Sequence, residues 1–98
     1  MTKYIKKAIP VDAWQIDMLE LDNQGNVPDW VWYAWKNGNI THGFRKRSLE
    51  ISTLEGNMTA EEGDYFIKGS MGEYWFNKKD IFEQMYEEVS ITYGDHYA

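Results

Sequence analysis

Ninety-eight residues, 43% apolar and 16% aromatic, suffice for one hydrophobic core and no more, because a chain of this size buries only about two thirds of its unfolded surface. Sixteen acidic against ten basic residues give a net charge of −6, which opposes encounter with phosphate backbones. The absence of Cys removes disulfides, thiolate nucleophiles and thiolate metal sites together.

Along the chain, Ile9, Val11 and Ala13 fall on one parity and Trp14, Ile16 and Met18 on the other. This predicts a strand between 5 and 18 with a register change near Ala13 and Trp14. Leu21 to Asn26 reads as a turn or loop, rich in residues that tolerate positive φ. A helix follows over 27–37, with Asn26 as its cap, Pro28 in its first turn and Asn37-Gly38 as its stop. Trp30, Val31, Ala34 and Trp35 recur at helical spacing on it, a pattern that reads as core packing before it reads as a ligand box.

Ile40 to Phe44 and Ser48 to Leu54 are strand candidates, with Glu55-Gly56-Asn57 as a turn after the second. Glu61 to Asp64 forms a polar turn, and Tyr65 to Lys68 and Glu73 to Phe76 flank Gly69-Ser70-Met71-Gly72, predicting an antiparallel hairpin. Asp80 and Glu83 have capping-box spacing ahead of Phe82, Met85, Tyr86 and Val89, which predicts a short helix over 80–88. Val89 to Tyr93 reads alternatively as a last strand, and 94–98 as a fraying tail.

The expected fold is therefore a single α+β domain over 1–93. A mostly antiparallel sheet of four to six strands packs one face on the helix at 27–37, and the second short helix closes an edge or end. Trp30, Ala34, Ile51, Ile67, Phe82 and Tyr86 are its expected core.

Thr53 to Met58, Gly63-Asp64-Tyr65-Phe66-Ile67-Lys68-Gly69, Gly72-Glu73 and Asp80-Ile81-Phe82-Glu83 with Tyr86-Glu87 resemble a small phage and prophage protein family. That family carries a PGDY-I-I-KG signature and a DIFE-x-x-YE carboxy-terminal stretch. Tyr4 to Ala13, Pro28-Asp29-Trp30 and Ile40 resemble its opening, central helix and following strand, so the likeness spans nearly the whole chain. Glu62 stands where the signature has Pro, and Trp75-Phe76-Asn77-Lys78-Lys79 where many members read Tyr-Pro-Cys-Lys-Pro. The resemblance implies a phage or prophage origin and a cytoplasmic setting in a bacterial host. It carries no activity with it.

Chemistry is sparse. Ser48, Ser52, Ser70 and Ser90 lack a nucleophile elbow, His42 and His96 are separated, and the carboxylates lack calcium-loop alternation. Gly69-x-x-Gly72 joins two strands and does not open a helix. No enzyme, cofactor or metal site is expected. The opening is too short and interrupted for a secretory segment and no run is long enough for a membrane span, so a soluble, cytoplasmic protein is expected. Its aromatic surplus and acidic balance favour binding a host or phage protein, with a homo-oligomer left open. The alternative is single-stranded nucleic-acid binding by a basic-aromatic strand of Phe44, Arg45, Lys46 and Arg47, extended by Lys6, Lys7, Lys78 and Lys79.

Overall fold

In chain order the elements are β1 (Asp12–Gln15), α1 (Met18–Asp22), α2 (Asp29–Lys36), β2 (Ile40–His42), β3 (Ser48–Thr53), β4 (Gly56–Glu61), β5 (Tyr65–Lys68), β6 (Tyr74–Asn77) and α3 (Lys79–Met85). They come from a computed structural model that describes residues 2–4, 8–54 and 56–89. The α+β class and the antiparallel pairing agree with the sequence. The single sheet does not: the strands divide into two three-stranded sheets, ordered β1-β5-β6 and β2-β3-β4.

The division follows from how β5 is occupied. At the turn before it Gly63 takes a φ of +93°, open to glycine at little cost. The Ile16 and Gly63 amides then donate to the Asp64 and Ile16 carbonyls at 2.8 and 2.9 Å. This locks β1 onto one edge of β5, while β6 pairs along the other with Phe66 opposite Phe76. With both edges of β5 taken, β4 has no place beside it and lies against β6.

The first element is shorter than expected. Trp14, Ile16 and Met18 all point inward, Ile9 and Ala13 are exposed, and the strand needs no register change. Residues 5–7 lie outside the described part. Met18, the expected end of the strand, starts a five-residue helix that runs into the expected loop at Leu21-Asp22, and Asp17 caps it by accepting the Glu20 amide at 3.2 Å. One turn and a half is too short to show periodicity.

α2 stops as predicted at Asn37-Gly38, Gly38 having a φ of +80°. Pro28, not Asn26, stands at its N-cap without a side-chain bond, and the Asn26 amide donates to Glu20 instead. Val31 and Ala34 are fully buried, with Trp30, Trp32 and Trp35 half-buried against the same core. That core is completed by Trp14, Phe66 and Phe76 from the first sheet and by Ile40, Leu49, Ile51 and Ala60 from the second.

Of the six expected core residues, Ala34, Ile51 and Ile67 are buried, while Trp30, Phe82 and Tyr86 are half-buried. No residue of α3 is buried, because the helix lies across a sheet surface with its rings stacked rather than inserted. β4 begins at Gly56-Asn57, where the sequence predicts a turn, and its Gly56, Met58 and Ala60 supply too little apolar bulk to mark a strand. Val89 is exposed and outside any strand, and Ser90 to Ala98, including the proposed strand end and tail, lie outside the described residues.

Candidate functional site

Asp64 organises the site. Its Oδ2 accepts the Glu61 amide at 3.0 Å, closing the polar turn as its residue type suggests. Its Oδ1 accepts the Lys79 amide at 3.2 Å, and the Lys78 Nζ lies 3.4 Å from Oδ2. One largely buried carboxylate thus caps the turn and the first residue of α3 together. The expected cap, Asp80, sits inside the helix and Lys78 occupies the N-cap without a side-chain bond. The cap comes from a residue fifteen positions upstream, so no local spacing could reveal it.

Anchored this way, α3 lies on the side of the first sheet turned away from the core. Cross-strand pairing places Ala13, Ile67 and Trp75 on that side, next to Gln15, Tyr65 and Asn77. Phe82 stacks on Tyr65 with ring centroids 4.0 Å apart, and Tyr86 stacks on Phe82 at 4.7 Å. The Tyr65 hydroxyl donates to Glu83 Oε2 at 3.0 Å. Partial burial, that hydrogen bond and the nearby Glu83 and Glu88 carboxylates raise the phenol above its ordinary value of 10.0.

Between this stack and β1 runs a groove of about 640 Å³. The Tyr65, Phe82 and Tyr86 rings and Pro10, Val11 and Ala13 supply its apolar surface. Asp12, Glu83, Glu87 and Glu88 line it as well, and among the described residues no basic side chain does. Phe82 and Tyr86 were expected in the core; their i, i+4 spacing was a true signal of a shared face, but not of what that face meets.

Phe44, Arg45, Lys46 and Arg47 do come together, though not on a strand. β2 ends at His42, and these residues form the connection to β3, where Arg47 takes a φ of +59°. Gly43 is needed before them: a Cβ there would stand 2.2 Å from the Ser48 hydroxyl, which donates to the Arg45 carbonyl at 2.6 Å. Phe44 is 100% exposed. Arg45 and Arg47 face the acidic turn, at 3.7 Å from Glu61 and 3.5 Å from Glu62. Lys78 is tied to Asp64 in that same turn, so the turn offsets much of the local positive charge. Lys6 and Lys7 lie outside the described residues.

His42 is an exposed strand histidine, as its position suggests. It lies 3.5 Å from Asp22 and edge-on to Trp35, 5.1 Å between ring centroids. Ser48 is buried and bonded to backbone, and Ser52 and Ser70 are exposed; Ser90 and His96 lie outside the described residues. Among the described residues no three His, Cys, Asp or Glu side chains gather to hold a metal ion, and no helix is long and apolar enough to cross a membrane.

Comparison with protein-family models, with curated proteins and with solved structures finds no match for this chain.

Proposed function

We propose that this is a non-enzymatic phage or prophage accessory protein that binds a host or phage protein through the groove between β1 and α3. The observation that carries the reading is the groove: three stacked, half-buried aromatic rings along one side of a sheet whose other side is sealed in the core. Aromatic side chains in a partly open cleft supply apolar area at low conformational cost, which is what interface anchors need. The phage setting comes from the family resemblance of the Gly63 to Gly69 and Asp80 to Glu87 segments, and cytoplasmic residence follows from that setting.

The test is site-specific photo-crosslinking in bacterial cells, with the reactive residue at Glu87 in the groove or at Thr59 on the polar side of the second sheet. A discrete adduct from position 87 and none from position 59 is expected. No adduct from position 87, or the same adducts from both, would contradict the reading.

Single-stranded nucleic-acid binding is the second reading, and the fully exposed Phe44 beside three cations favours it. Gel-shift titration separates the two. The first reading expects no shift near physiological salt. Tight binding abolished by Arg45→Ala, Lys46→Ala, Arg47→Ala, with a salt slope changing by about 0.7 per lost contact, would reverse the order.

A further inference from the structure

We propose that the groove takes an extended cationic segment of the partner protein, laid beside β1 with its basic side chains against the end of the Tyr65–Phe82–Tyr86 stack and among the surrounding carboxylates. This rests on the reading of the groove as the partner site. Three observations select that occupant.

Charge comes first. Asp12, Glu83, Glu87 and Glu88 line the groove, and among the described residues no basic side chain does. Glu87 and Glu88 follow the carboxyl end of α3, whose last turn carries no basic residue. Negative charge is unfavourable at that end of a helix and a cation is favourable there. Phosphate-bearing partners meet like charge there and are repelled. The raised Tyr65 phenol, with Glu83 and Glu88 among its causes, is consistent with the negative potential that the lining implies.

Ring geometry comes second. Tyr65, Phe82 and Tyr86 form a continuous stack with interplanar angles of 13° and 20°, and the outer face at the end of such a stack is where a guanidinium or ammonium group binds. Each cation over an exposed ring is worth about two- to five-fold in affinity. Third, β1 is an edge strand among the described strands of its sheet, and an edge presents backbone groups that an extended chain can pair with.

The experiment uses the full chain, ¹⁵N-labelled, titrated with synthetic peptides of equal length that alternate valine with arginine, glutamine or glutamate. The arginine peptide is expected to move the amides of Ala13, Gln15, Glu83 and Glu87, and to bind more weakly as salt is raised. The triple substitution Glu83→Gln, Glu87→Gln, Glu88→Gln should weaken it about ten-fold or more. If that variant fails to fold, the double Glu87→Gln, Glu88→Gln, whose two sites lie beyond the helix and are exposed, serves instead with a smaller loss.

Equal binding of the glutamine peptide, binding centred on the Glu61–Glu62 turn, or no binding of the arginine peptide would overturn the proposal. So would concentration-dependent shifts, without peptide, of the 44–47 loop and the groove together, since they would make a second copy's basic loop the occupant. Failure of the partner reading looks different: the arginine peptide binds the groove, yet the crosslinker at position 87 captures nothing in cells.

Discussion

The two sides of the β1-β5-β6 sheet carry similar side chains and put them to different use. On the inner side Phe66 meets Trp30, Tyr74 and Phe76 at centroid distances of 5.1 to 5.6 Å, and the cluster continues through α2 into the second sheet. On the outer side Tyr65 of β5, Phe82 of α3 and Tyr86 at the end of α3 stack just as closely, but that helix has seven residues and none is buried. Aromatic content alone therefore does not distinguish core from surface here. Enclosure does: the inner rings are surrounded by two sheets and a helix, the outer ones by a single short helix held at its start by Asp64.

Substitutions should separate the two sides by size of effect. Phe66→Ala removes the centre of the inner cluster, and a loss of about 3–5 kcal/mol is expected in urea unfolding. A loss below about 1 kcal/mol would mean that the inner side is not the main source of stability. Asp64→Ala leaves the Glu61 and Lys79 amides without their acceptor and should cost about 1–3 kcal/mol. The α3 amide resonances should shift most, with the β2-β3-β4 sheet little changed.

Phe82→Ala is expected to cost only about 1–2 kcal/mol, since the ring is half-buried and stacked without being enclosed. It should nevertheless abolish crosslinking from position 87. A cost equal to that of Phe66→Ala would erase the contrast between the sides. The smallest effect concerns pH. The Tyr65 phenol is raised above 10.0 in the folded protein, so the stability tied to its neutral form is fully present below the unfolded value and is lost as pH rises through the folded one. The ultraviolet absorbance titration should show one tyrosine ionising late, and Tyr65→Phe should remove that late step.

Much of this was legible in the chain. The hairpin around Gly69 and Gly72, the α2 stripe of Val31 and Ala34, its stop at Gly38 and the local role of Asp64 all follow from residues near one another, where turn chemistry and periodicity act. What escaped depends on distant partners. The split into two sheets hangs on β1 taking the edge of β5, the cap of α3 comes from Asp64, and the groove exists because residues 9–15 lie beside 82–89. The Phe44 to Arg47 tract was readable as basic and aromatic. Its place in a connection beside Glu61 and Glu62 was not, because strand propensity does not say where a three-residue strand ends.

Native-state hydrogen exchange on the full chain tests the contrast most directly. The Phe66 and Ile67 amides lie in β5, a strand paired on both edges, and should exchange only through global unfolding. The Phe82 and Tyr86 amides, bonded at 2.9 Å to the Lys78 and Phe82 carbonyls, should exchange through local opening of α3 at much lower free energy. Equal protection in β5 and α3 would contradict the account, since it would make the outer layer part of the same cooperative core.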